Sequence, residues 1–329
     1  MSDELANATD QPGDAPVTAS PGHPPLGAWL PHFALLALVW GSSFLFIEVA
    51  IRQLHPVYVA LGRSAFGALT LVIVLKSTGG ALPRRPIEWL HLSVVGVVGV
   101  ALPFILFPYG EQRISSALAG IWNATTPLVA LPLSVLVYRI EKFTVRRVVG
   151  LLIGFGGVLV VLGVWQGVGG AQLTGQAMCF AAAGCYGVAI PYIRKFLAGS
   201  SLSGVAIPAG QLIIATVVLA IAAPILAGAP PAPSTLRPEV IGSLLALGAL
   251  GSGLAFLLHF RVIRTVGATA GASVAYLFPV VATTLGVLVL SEPVTWHQPV
   301  GAAIVLVGVA VAQGFRLKGR ARRSTPAAR

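Results

Sequence analysis

Residues Glu141–Val161 and Glu292–Ala312 are two copies of one segment. At an offset of 151, Glu141 pairs with Glu292, Thr144 with Thr295, Val149 with Val300, Gly150 with Gly301 and Ile153 with Ile304. The same offset pairs Gly157 with Gly308, Val158 with Val309 and Val160 with Val311. At an offset of 152 the match extends upstream: Pro127 meets Pro279, and Val129, Ala130, Leu133, Val135, Leu136 and Val137 meet identical residues. A repeat this long in a very apolar chain implies two homologous membrane halves. Such duplication is how many secondary transporters build a site that opens to either side.

Composition supports the membrane. Hydrophobic residues make up 56% and charged residues 9%, with a mean hydropathy of +0.88. Soluble domains carry about 25% charged residues, so too little of this chain suits water. The net charge of +11 does not point to nucleic acid, because the basic residues fall in short clusters between apolar runs. That is the pattern of cytoplasmic loops meeting anionic lipid. Residues 1–26 hold Asp3, Glu4, Asp10 and Asp14 with no Lys or Arg. A secretory signal needs a positive start, so this stretch reads as a disordered tail.

About 20 apolar residues cross the hydrocarbon core. Segments at 31–51, 56–75, 88–109, 116–138, 146–164, 174–193, 204–227, 239–260, 267–290 and 296–314 qualify, five in each half. An odd number per half puts the second copy in the opposite orientation. Charge is an independent guide. With the N-terminus inside, 17 Lys and Arg residues fall on the cytoplasmic side, against Arg52, Arg113 and Arg237 outside. The positive-inside rule then predicts both termini in the cytoplasm.

Small residues form one face of the fifth segment (Gly150, Gly154, Gly157) and of the tenth (Gly301, Gly308), where helices can approach closely. Packing within the chain is the expectation, with a contact between protomers as the alternative. Pro103, Pro108, Pro127, Pro132, Pro191, Pro208 and Pro279 interrupt helical hydrogen bonding. Pro127 and Pro279 are repeat mates, so their bends are expected to serve a shared architecture.

Polar groups at depth are the candidate substrate contacts. Trp40, Ser42 and Ser43 lie near the middle of the first segment and Tyr186 near the middle of the sixth. Trp40-Gly41 and Tyr186-Gly187 occupy corresponding places in the two halves, which suits a site at the repeat interface. Asn123 and Tyr276 lie within the fourth and ninth segments. Each of these also has a structural reading, since interior Ser and Asn tie helices together and Trp and Tyr anchor at the lipid interface.

Arg63 is the sharpest single feature. A guanidinium in the bilayer is costly, so it should face the bundle interior. It is read either as a binder of an anionic substrate group or as a structural residue. The structural options are an ion pair with Glu48 or Glu111, or a side chain snorkelling to the outer face. His259 reads as a loop-edge residue before Arg261 and Arg264.

Enzymatic signals are missing: the chain has no G-x-S-x-G elbow, H-E-x-x-H motif or Walker A loop. Cys179 and Cys185 lie inside an apolar run, which argues against a disulfide framework or a metal site.

Trp40-Gly41-Ser42-Ser43-Phe44 resembles the opening motif of EamA-type permeases of the drug/metabolite transporter superfamily. Pro279…Ser291-Glu292-Pro293…Gly301…Gly308 resembles that family's second-half signature, and Pro127…Glu141…Gly150…Gly157 the first-half version. The resemblance covers residues 30–314. It implies a ten-helix basket of inverted five-helix repeats, with the fifth and tenth helices peripheral, and export of amino acids and other metabolites. The first-half loop departs from the pattern at Arg139-Ile140-Glu141-Lys142, where Gly or Ser is usual before Glu.

The expected fold is thus an all-α membrane protein of ten transmembrane helices, two inverted five-helix repeats around a central cavity. Residues 1–28 form a tail, 29–165 and 172–315 the two repeats, and 316–329 a basic tail. The expected function is a secondary transporter of the cell membrane, exporting small organic metabolites by alternating access. The alternatives are transport of a phosphorylated or other anionic metabolite and, ranked below it, an intramembrane enzyme or a channel. The candidate substrate-binding residues are Trp40, Ser43, Arg63, Asn123, Tyr186 and Tyr276. No cofactor or metal is expected. The expected partners are a small-molecule substrate and membrane lipid, with a homodimer left open and no nucleic acid.

Overall fold

The structure, a computed structural model, describes residues 26–140, 142–163, 165, 170–197, 202, 204–266 and 273–313. The secondary structure among these residues is helical, with no strand. Eight helices are long and apolar enough to cross a membrane: α1 (Trp29–Ala50), α2 (Pro56–Ser77), α3 (Pro86–Glu111), α4 (Ser116–Val137), α5 (Val145–Leu162), α6 (Gln172–Phe196), α7 (Ala206–Ala227) and α8 (Pro238–Thr265). Two shorter apolar helices follow, α9 (Phe278–Leu290) and α10 (His297–Ala312). The start of the expected ninth segment, at 267–272, and Glu141 of the repeat lie outside the described residues.

Local chemistry sets the helix ends. Proline opens α2, α3 and α8 in the first turn, where its missing N–H has no intrahelical partner to lose. Ser115 and Thr144 cap α4 and α5, each accepting a backbone N–H three residues on. The prolines also mark internal breaks. α4 stops at Asn123, turns through Ala124 and Thr125, and resumes at Thr126-Pro127. α9 begins at Phe278-Pro279 after a 3-10 turn over Ser273–Leu277. The mates Pro127 and Pro279 therefore both stand second in a helical segment, where a proline is tolerated. The third helix of each half carries a widened π turn, Val97–Ala101 in α3 and Ala246–Leu254 in α8. Such turns recur at functional sites.

The interior is built of tightly packed aliphatic and aromatic side chains, among them Phe44, Ile47, Phe107, Ile121 and Trp122. The outward surface is just as apolar: Leu69, Ile73, Phe155, Ile221 and Leu288 are exposed, and Ile225 is 77% exposed. An outside as oily as the core suits lipid rather than water.

The helices of one half pack on those of the other in exchanged pairs. In α1, a Cβ at Gly41 would lie 2.5 Å from Val281 Cβ of α9; in α6, one at Gly187 would lie 2.6 Å from Val129 Cβ of α4. Val129 and Val281 are repeat mates, and Gly41 and Gly187 hold matching places. α5 and α10 cross antiparallel in the same manner. A Cβ at Gly150 would lie 2.5 Å from the carbonyl oxygen of Gly308, and one at Gly157 2.9 Å from that of Gly301. The small-residue faces thus pack within the chain, and these two helices meet chiefly each other.

Candidate functional site

Three of the sequence candidates converge on one turn of α8. Trp40 donates its indole N–H to the carbonyl of Gly251 at 3.0 Å. The buried Ser43 hydroxyl stands 3.2 Å from where a Gly251 Cβ would be and donates to the Val39 carbonyl at 3.3 Å. Arg63 donates its Nε–H to the hydroxyl of Ser252 at 3.3 Å. This is possible because the π turn of α8 places small residues, Gly248, Gly251, Ser252 and Gly253, against α1 and α2. The Ser252 hydroxyl in turn donates to the Leu247 carbonyl at 3.2 Å, five residues back, in register with that widened turn.

Arg63 is 8% exposed, and its guanidinium carbon lies 3.9 Å from the centroid of the Phe104 ring of α3. A cation over an aromatic face gains electrostatic attraction, more so when desolvated. Among the described residues no ion pair joins Arg63 to Glu48 or Glu111, so neither of those expected pairs forms. Snorkelling is also excluded for this conformation by the burial. The reason is directional: Ser252 and Phe104 hold the side chain inward, while both oxygens of Glu111 stay buried without a hydrogen-bond partner.

Tyr186 joins the same wall. Its ring stacks on Phe107 at 6.2 Å, Phe107 meets Phe44 edge-on at 5.5 Å, and Tyr186 lies within electrostatic range of Arg63. Arg63, Tyr186, Phe104 and Phe107 therefore line one polar-aromatic region between α2, α3 and α6. Trp40 extends the region on the far side of Gly251, where its ring meets Phe256, His259 and Phe278 at 5.0–6.0 Å. His259 is thus a partner of Trp40, and α8 runs past it to Thr265 rather than ending there. Asn123, at the break of α4, keeps a buried carboxamide oxygen without a partner. The side chain of Tyr276 lies outside the described residues.

Ser252, Gly251 and Phe104 are the residues that sequence reasoning passed over, and Glu111 was considered only as a partner for Arg63. The run Gly248-Ala249-Leu250-Gly251-Ser252-Gly253 was the available signal, since small and hydroxyl residues cluster where membrane helices meet. A cleft of about 330 Å³ is lined by Leu82, Arg84, Arg85, Glu88 and Leu202, none of them a residue of this region. No group of His, Cys, Asp and Glu suited to a metal ion occurs among the described residues.

The fold defines a multi-pass helical membrane protein that carries polar groups in its interior. The chain belongs to the EamA-like transporter family, whose model matches residues 28–163 and again 173–313. It is similar to an uncharacterized transporter of Archaeoglobus fulgidus, 26% identical over 84% of this chain and 95% of that protein. It is also similar to the uncharacterized inner membrane transporter YedA of Escherichia coli K12, 29% identical over 78% of this chain and 82% of the relative. Protein PagO of Salmonella typhimurium is 24% identical over 84% and 90%. A solved crystal structure shares the fold with a TM-score of 0.61 and 21% identity, covering 87% of this chain and 96% of that one. The family and these relatives make the protein a membrane transporter.

Proposed function

We propose that the chain is a secondary transporter that exports small organic metabolites such as amino acids across the cytoplasmic membrane by alternating access. Its architecture is two inverted five-helix repeats, with both termini in the cytoplasm. The exchange of contacts between halves carries this reading: Gly41 meets Val281 while Gly187 meets Val129. Such reciprocity is what a two-fold axis between repeats produces, and rocking of one repeat against the other then exposes a midplane site to each side in turn. The region of Arg63, Tyr186, Ser43 and Trp40 is the proposed site, and its burial supports an occluded conformation. Asn123 and Tyr276 are proposed as further contacts.

Arg63 favours a substrate with an anionic group, because its charge is balanced by an aromatic face and a hydroxyl rather than a carboxylate. An amino acid offers a carboxylate there; a phosphorylated metabolite is the second reading on the same observation. Uptake of pooled labelled amino acids and sugar phosphates into proteoliposomes tests both. Transport of neither by well-folded protein, or transport unaffected by Arg63→Leu and Tyr186→Ala, would sink the proposed site.

A further inference from the structure

Glu111 is the last residue of α3 and is 4% exposed. Both of its carboxyl oxygens are buried, and neither has a hydrogen-bond partner among the described residues. The ionisable groups in electrostatic range of it come from several elements: Glu48 of α1, Arg63 of α2, Cys179 of α6 and Glu292 of the α9–α10 loop. The facing turn of α4, Ser116–Asn123, carries no titratable side chain. On its own helix Tyr109 is directed to His55, and the exposed Arg113 just beyond turns its guanidinium to the Tyr109 carbonyl at 2.8 Å.

The neighbouring carboxyl of Glu292 has three donors from the start of α4, while Glu111 has none. Arg63, the cation nearest in kind, is turned to Ser252 and Phe104 instead. An ionised Glu111 would therefore sit desolvated, without a donor or an ion partner, beside two other carboxyls. Such an unpaired buried charge costs several kcal/mol, and a carboxyl that keeps its proton avoids that cost. Intramembrane carboxyls of this kind recur in proton relays.

We propose that Glu111 is the proton-carrying group that couples this transporter to the proton gradient. In the conformation described, a proton is bound to a Glu111 oxygen. When the surroundings open to the cytoplasm, that O–H bond breaks, the proton leaves to water, and the carboxylate is left to be reprotonated from the outer face. One proton thus moves inward per cycle, driving an anionic or zwitterionic substrate outward. This rests on the reading of the chain as a transporter, so the test has a readout independent of transport.

Infrared difference spectra of the purified full-length protein, recorded across a pH titration, report protonated carboxyl groups directly. Wild-type protein is expected to show a protonated carboxyl band at neutral pH that Glu111→Gln lacks, the two proteins melting at similar temperatures. In proteoliposomes loaded with labelled amino acids, an inward proton gradient should accelerate wild-type efflux. Glu111→Gln should exchange label across the bilayer equally with and without the gradient. A band unchanged in Glu111→Gln overturns the proposal, as does a variant still driven by the gradient. If wild-type protein moves none of the labelled amino acids, the amino-acid reading and the coupling role fall together. The infrared band then still decides whether Glu111 holds the proton.

Discussion

Both carboxyl oxygens of Glu292 accept hydrogen bonds from the first turn of α4, with Ser116 donating its backbone N–H at 2.9 Å and its hydroxyl at 3.0 Å. Ala117 adds its N–H at 3.1 Å. The first N–H groups of a helix have no partner within it, and the helix dipole favours a negative group there. Gly286 leaves the space, since its Cβ would fall 3.2 Å from the Ser116 hydroxyl and closer still to the Glu292 carboxyl. A loop late in the chain thus caps a helix in the first half.

Removing this cap should cost stability in a graded way. Glu292→Gln keeps one good acceptor and should lower stability by about 1 kcal/mol, whereas Glu292→Ala strands the donors and should cost about 2–3 kcal/mol. Thermal melting in detergent measures both. Equal melting of all three proteins would show that water replaces the carboxyl without loss.

The exchanged glycine–valine contacts predict a matched pair of rescues. Gly41→Ala forces a methyl into Val281 and should destabilise by about 1–3 kcal/mol, with Val281→Ala restoring most of it. Gly187→Ala with Val129→Ala should behave alike. If one pair rescues and the other does not, the two contacts are not equivalent across the halves.

Arg63 separates binding from folding. Arg63→Lys keeps a charge but loses the planar fork and the Nε contact to Ser252, so melting should change little while apparent affinity for a carboxylate substrate falls about tenfold. Arg63→Leu should abolish affinity for anionic substrates, with Glu111→Gln giving no rescue. Rescue by Glu111→Gln would show that Arg63 balances the Glu111 carboxylate, which the side-chain geometry argues against.

Topology can be read by fusions. A reporter active only outside the cytoplasm should be silent at residue 329 and active near Gly169, following the 17-to-3 bias of basic residues. The reverse pattern would overturn the proposed orientation and the direction of proton entry with it.

Much of the helical layout was legible because apolar run length and proline position are local. Pro127 and Pro279 were recognised as mates and do open equivalent helical segments. The small faces of α5 and α10 were likewise readable from spacing. What the spacing could not supply was choice of partner. Arg63 had carboxylates at suitable depth, yet a hydroxyl on α8 and a ring on α3 hold it, because side-chain direction depends on how helices are rotated. Glu292 and Ser116 lie 176 residues apart, and no local rule joins them. Trp40 was read as a substrate contact or an interface anchor, and its N–H ties α1 to the π turn of α8, a bond that spacing does not reveal.

The crossing of α5 with α10 has a consequence for biosynthesis. The glycine face of α5 leaves the ribosome long before the helix that fills it, so throughout translation of α6–α9 this face lacks its α10 partner. Closure of the groove reports arrival of the final helix. A chain cut short before α10 leaves this seam of small residues without the helix that fills it.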